Sequence, residues 1–387
     1  MKPDIGWPRI AALLLLGGVA TAGLGAQRAF VSGEGDDASA VAGCPVAAPC
    51  RTLAAAVAVA DTGGEVIVLD PGPYTGPVAI TRSLTVTTAR GLDAAVDVPA
   101  TQTGFYVNAP GATVLLRGFS IASDGADHAI AVNAVGSLTL ERIEARGAVF
   151  TAVLIAGSTS SIAIVDSVIV RTGNYGMAIE GYDQKAASML LALDRVAFVD
   201  LNGAVTAGAS LRLGPSVTAL ARGVTMTGTA GLWLDPAGGG PVAASITDSL
   251  FTGPGVVVAG DGARVDVARS TFEGGAGVGA GFTFGVEPTV AVVDSSFAGT
   301  FRGLTVSSDG PAGGQLLSVR NQFHRLDDAA IHAEGAGTRA TIVRNRILGV
   351  PSGLVGTAGA ILATTGDTVI EATGTPVAGA VVPAPKW

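Results

Sequence analysis

Basic residues are in short supply in this chain. Its 23 Lys and Arg are outnumbered by 31 Asp and Glu, for a net charge of −8, which argues against nucleic acid or an anionic membrane surface as a partner, since both need basic patches. Membrane-length hydrophobic runs are also missing. The run from Ile10 to Ala22 is too short to span a bilayer. With Lys2 and Arg9 before it and Ala22-Gly23-Leu24-Gly25-Ala26 at its end, it is expected to be a cleavable signal peptide over residues 1–26, leaving no membrane span in the mature chain. Cysteine occurs only at Cys44 and Cys50. A thioredoxin-like pair needs Cys-x-x-Cys and a metal site needs more ligands nearby, so in an exported chain the two are expected to form a disulfide closing a small loop.

What the chain has in quantity is repetition. Val319-Arg320-Asn321-Gln322-Phe323 returns as Val343-Arg344-Asn345-Arg346-Ile347 and, earlier, as Val293-Asp294-Ser295-Ser296-Phe297. The phrase can be followed back to Arg117-Gly118-Phe119 in steps of 21 to 28 residues, a period that marks a solenoid. Each repeat carries a second apolar run, such as Gly231-Leu232-Trp233-Leu234 or Ala330-Ile331-His332, with no helical pattern between. Regularly spaced leucines with an Asn or Cys ladder, the mark of leucine-rich repeats, are missing, and propeller blades need about 40 residues or more. The pattern therefore predicts an all-β, right-handed parallel β-helix of about eleven coils, each stacked at roughly 4.8 Å on the last. The 56 glycines and other small residues suit its corners.

Taken in order, residues 27–82 should form an N-terminal cap and first coil, 83–375 the repeats and 376–387 a tail. Thr52 is placed to cap a short helix through Ala60, a lid over the first coil, with Glu65-Val66-Ile67-Val68-Leu69 as a first strand. Phe30-Val31-Ser32-Gly33, Gly35-Asp36-Asp37, the Cys44 to Cys50 loop with Arg51-Thr52, Gly64 to Gly72, and Ile80-Thr81-Arg82-Ser83 together resemble the N-terminal cap of bacterial right-handed parallel β-helix repeat proteins of the pectin-lyase-like superfamily. The resemblance covers about 60 residues closely. It implies the fold and export to the periplasm, the cell surface or the medium, and it carries over no catalytic residue.

Stacking makes equivalent positions into columns. Arg117, Glu141, Asp166, Asp194, Arg222, Asp248, Arg269, Asp294, Arg320 and Arg344 are expected to form one charged ladder that fixes register. Ser167, Ser249, Ser270, Ser295, Asn321 and Asn345 follow as corner residues. Residues 181–185, Ala207 to Pro215 and Asp235 to Pro241 read as bulges on consecutive coils, forming a wall along one edge.

The hydrolase phrases Asn-Thr-Asp, Gly-His-Gly and Arg-Ile-Lys and the lyase phrase Trp-Val-Asp-His, which enzymes of this superfamily use on acidic polysaccharides, do not occur. Candidate acid, base and orienting groups are His324, Asp327, Asp328 and His332, with Arg325, and Arg302 and Arg346 on flanking coils. His128 beside Asp127 is a lesser pair. For binding, the wall offers Tyr175, Tyr182, Asp183, Lys185, Arg212, Trp233 and Asp235, aromatic platforms with polar neighbours of the kind carbohydrate needs. The reading is an exported, non-catalytic glycan-binding or extracellular structural module with no cofactor and carbohydrate as partner. The alternative is a polysaccharide lyase or glycoside hydrolase, for which Ca²⁺ would enter if it were a lyase.

Overall fold

The computed structural model describes residues 27–171, 173–180, 188–200, 209–228, 231–235, 240–253, 255–259, 262–280, 287–308 and 313–384. The expected signal peptide lies outside them. They build a parallel β-solenoid of about twelve turns, one more than the repeat count suggests. In a representative rung, Thr289–Val293, Ser296–Ala298 and Leu304–Ser307 pair in parallel with Gln315–Val319, Gln322–His324 and Ala329–Glu334 of the next. Three sheets result, called first, second and third in that order.

Alternation within each short strand decides what faces in. Val290, Val292, Phe297, Leu304 and Val306 are each at most 1% exposed, so one rung contributes aliphatic groups from two sheets and an aromatic ring from the other. On the second sheet Phe251, Phe272, Phe297 and Phe323 stack face on, with centroids 4.7, 4.8 and 5.0 Å apart. That spacing equals the strand separation, so the backbone ladder itself holds the rings in contact.

The first-to-second sheet corner is two residues long in rung after rung, and its first residue is left-handed. Gly118, Arg142, Asp166, Arg195, Gly223, Asp248, Arg269, Asp294, Arg320 and Arg344 all have φ between 49° and 81°. This conformation costs non-glycine residues roughly 1–2 kcal/mol. The second corner residue points inward and bonds to the rung before it. Ser167, Ser249, Ser270, Ser295, Asn321 and Asn345 are each at most 5% exposed. Their side-chain oxygens accept from the backbone N–H of Ile143, Val224, Ser249, Ser270, Ser295 and Asn321 in turn. They are corner residues, as expected, and together form a buried polar ladder.

The charged ladder needs a correction. Asp166, Asp248, Arg269, Asp294, Arg320 and Arg344 do share the left-handed column, but Arg117, Glu141, Asp194 and Arg222 sit one position earlier, at the end of the first-sheet strand. Backbone geometry, not charge, sets the phase. Within the column Arg195 binds Asp166 at 2.6 Å, Arg269 binds Asp248 at 2.7 Å and Arg320 binds Asp294 at 2.7 Å. Arg117 and Glu141 pair with each other at 2.7 Å in the neighbouring column.

At the N-terminal end the helix Leu53–Val59 is capped by Thr52, whose Oγ1 accepts from Ala55 N–H at 3.2 Å. It buries Leu53, Ala56 and Val57 over the first rung. A strand earlier than expected, Arg28–Val31, pairs with Gly64–Val68. Cys44 and Cys50 form a disulfide and are fully buried. Near this end the first-to-second sheet corner is longer, with five residues between Leu84–Thr88 and the second-sheet strand Ala94–Asp97. At the other end the strands run on through Val369–Ala378 and Ala380–Pro383, so pairing continues past residue 375, where a tail was expected.

Candidate functional site

The third sheet's inner and outer faces separate by alternation. Met177, Leu211, Leu232, Val256, Val278, Leu304, Ile331 and Leu354 face the core as one column. The residues after them, Ala178, Arg212, Trp233, Val257, Gly279, Thr305, His332 and Val355, form a column on the outer face. Arg212 and Trp233 are thus neighbours on consecutive rungs, and His332 stands four rungs beyond Trp233 on the same line. Trp233 faces out while Leu232 and Leu234 on either side are buried, so it is no part of the core. Its Nε1 is buried with no hydrogen-bond partner among the described residues.

Arg212 lies in the strand Leu211–Leu213 and not in a bulge. Its guanidinium spans three rungs. It donates to Asp235 Oδ2 at 2.8 Å on the rung above, approaches Glu180 Oε1 at 3.6 Å on the rung below, and lies over the Tyr175 ring at 5.6 Å. Burial works against its charge, but Asp235 and the groups around it more than offset this and hold its pKa above the usual arginine value. Glu180 and Asp235 each close a third-sheet strand at the same rung position. Glu180 escaped the sequence reading; its equivalence to Asp235 in the repeat is the signal that would have found it. Phe150, half exposed, extends the aromatic surface: its carbonyl accepts from Tyr175 N–H, and its ring lies 6.2 Å from that of His128. The remaining predicted wall residues, Tyr182, Asp183 and Lys185, lie outside the described residues.

The catalytic candidates divide. Asp328 and His332 are brought together by Arg302, whose Nε donates to Asp328 Oδ2 at 2.5 Å while its Nη1 is 3.0 Å from His332 Nδ1. His332 Nε2 lies 3.4 Å from Thr357 Oγ1. Burial, and then the neighbouring Arg302 charge, hold the His332 pKa below the usual histidine value. His324 belongs to the second sheet, and Asp327 is an exposed corner residue, so neither joins the cluster by strand position.

A cleft of about 580 Å³ opens in the N-terminal cap, lined by Glu34, Arg51, Asp70 and Tyr74 among others. Its central groups serve the cap. Burial would raise the Asp70 pKa, but hydrogen bonds from Tyr74, Ser32, Gly33 and Gly72 hold it below the carboxylate range. Among the described residues no cluster of three or more His, Cys, Asp or Glu could hold a metal ion, and no helix is long and apolar enough to cross a membrane.

Among solved structures the chain is similar to XylC in complex with xylose, at 10% identity and a TM-score of 0.52, over 91% of this chain and 86% of that one. The chain has the right-handed parallel β-helix fold. This β-helix is also similar to an alginate lyase from Paenibacillus sp., at 15% identity and a TM-score of 0.45, over 80% of this chain and 95% of that one. A pectate lyase gives 16% identity and a TM-score of 0.39, over 90% and 80%. No family model matches the chain, and no curated protein matches it.

Proposed function

We propose that this β-helix is an exported, non-catalytic module that binds glycan on the outer face of its third sheet, around Tyr175, Arg212, Trp233 and Asp235. The observation that carries the reading is the alignment of Arg212 and Trp233 in one outward column, with Arg212 anchored over Tyr175 and against Asp235. Sugar rings present apolar faces to aromatic side chains and hydroxyls to fixed polar groups, and a rigid sheet holds both in place without ordering cost on binding. Tyr182, Asp183 and Lys185 are assigned to the same site on sequence alone. The buried disulfide Cys44–Cys50 fits an oxidising compartment and so favours export.

A second reading rests on the Arg302–Asp328–His332 contact: a lyase or hydrolase in which the neutral imidazole accepts a proton beside a fixed cation. The two separate in one experiment. The purified protein is assayed for retention on immobilised polysaccharides and for release of reducing or unsaturated ends. Retention reduced about tenfold or more by Trp233→Ala, with no ends released, supports the binding module. Turnover abolished by His332→Ala overturns it.

A further inference from the structure

We infer that the ligand of this face is a neutral glycan and not a polyuronate, an assignment that rests on the glycan-binding reading above. Arg212 carries the positive charge at the Trp233 patch among the described residues, and two carboxylates, Asp235 and Glu180, flank it at 2.8 and 3.6 Å. One guanidinium between two carboxylates leaves the patch with net negative charge. Lys185, assigned to this site on sequence alone, is accompanied there by Asp183, and among the described residues an incoming uronate would find no uncommitted cation and would stand beside like charge.

The second cluster, which reaches the same outward column through His332, also pairs an arginine with a carboxylate. Arg302 is engaged by Asp328 at 2.5 Å, Glu334 follows on the same strand as His332, and burial together with Arg302 keeps that imidazole from adding a positive charge. Two sites reaching one line, one with an arginine between Asp235 and Glu180 and the other with an arginine engaged by Asp328, make the face acceptor-rich. Ionised carboxylates only accept hydrogen bonds. Their natural partners are hydroxyl donors, which a neutral sugar supplies around its whole rim, while Tyr175 and the outward Trp233 offer surfaces for its apolar face.

The test uses the full mature chain and four soluble polymers in affinity electrophoresis: galactomannan and arabinoxylan as neutral probes, polygalacturonate and alginate as uronate probes. Each is run with EDTA and with added Ca²⁺, at low and high salt. The expected result is retardation by a neutral polymer, unchanged by salt because no net ion pairing is involved, and no retardation by either uronate. The double variant Glu180→Gln/Asp235→Asn should lose about tenfold in affinity for the neutral polymer, and the freed Arg212 should bring a new, salt-sensitive retardation by the uronates. Uronate binding by the unaltered protein, with or without Ca²⁺, overturns this inference and leaves the glycan-binding reading standing. Retardation by none of the four overturns both. Because the unaltered protein alone decides these outcomes, a misfolded variant does not remove the test.

Discussion

Asn321 accepts a hydrogen bond through Oδ1 from the Ser295 N–H one rung earlier, at 2.8 Å, and its own N–H donates to Asn345 Oδ1 on the rung after, also at 2.8 Å. Its amide further donates to Val292 O and Ser318 Oγ at 2.8 and 3.0 Å. A side chain 1% exposed thus satisfies backbone and side-chain groups that water cannot reach. Asn321→Ala strands them, and each unsatisfied buried group costs about 1–3 kcal/mol. We expect a loss of about 2–4 kcal/mol, read from the denaturant midpoint by circular dichroism. Asn321→Ser should cost less than the alanine variant, since serine makes the same acceptor bond at positions 249, 270 and 295.

The left-handed column predicts an order among substitutions at Arg320, where φ is 54°. Arg320→Ala and Arg320→Gly both remove the ion pair to Asp294, so the difference between them reports the backbone alone. Glycine should be more stable than alanine by about 1 kcal/mol, and valine worse than either. Equal melting temperatures for the alanine and glycine variants would show that the conformation carries no cost here.

Acid should weaken the first corner. The partners Arg195, Arg269 and Arg320 hold the carboxyls of Asp166, Asp248 and Asp294 below the usual carboxylate range. A depressed folded pKa stabilises the fold above the unfolded value, near 3.9, and that contribution disappears as pH falls through the folded value. The groups are solvent-exposed, so each contribution is small. Melting temperature measured from neutral pH to below pH 4 should fall, and the Asp248→Asn/Asp294→Asn variant should fall less steeply.

His332 acts in a different window. Its folded pKa is lowered by burial and Arg302, so below the unfolded value of about 6.5 the unfolded chain takes up a proton that the folded chain resists. Stability should therefore begin to drop as pH falls below about 6.5, and His332→Gln should remove that part of the profile. A wild-type profile flat across this interval would mean that the imidazole protonates freely in place.

Reduction of Cys44–Cys50 should loosen the cap first. The sequence separation of 6 closes only a short loop, which in the chain-entropy account contributes about 2 kcal/mol. Hydrogen exchange under reducing conditions should show faster exchange in Arg28–Val31 and Leu53–Val59 while the Phe251 to Phe323 rungs stay protected.

The repeat was legible because each rung must place a small polar residue and an apolar ring at fixed positions: Ser295 before Phe297, Asn321 before Phe323. The phase of the charged column was not, because Asp194 and Arg222 read like Asp248 and Arg269 until the left-handed residue is known, and that residue is Arg195 in one rung and Gly223 in the next. Trp233 could have been placed facing out from the alternation of Leu232, Trp233 and Leu234 alone. Arg212 could not, since Ala207 to Pro215 has the composition of a loop and its three-residue strand is held only by pairing with Met177–Ile179 and Leu232–Leu234.

The two-residue turn between the first and second sheets has a wider meaning for how this molecule can vary. Rungs differ in length, yet Asp166-Ser167, Asp248-Ser249, Asp294-Ser295 and Arg320-Asn321 bridge those sheets with the same count. From Asp166 onward the slack is taken up at the other two vertices of the triangular cross-section. An added residue at the tight vertex would throw the inner serine or asparagine out of line with its neighbours, whereas grafted segments beside the third sheet would leave the shaft undisturbed. The face that carries Arg212 and Trp233 is therefore also the side on which new recognition surfaces can be built without rebuilding the scaffold.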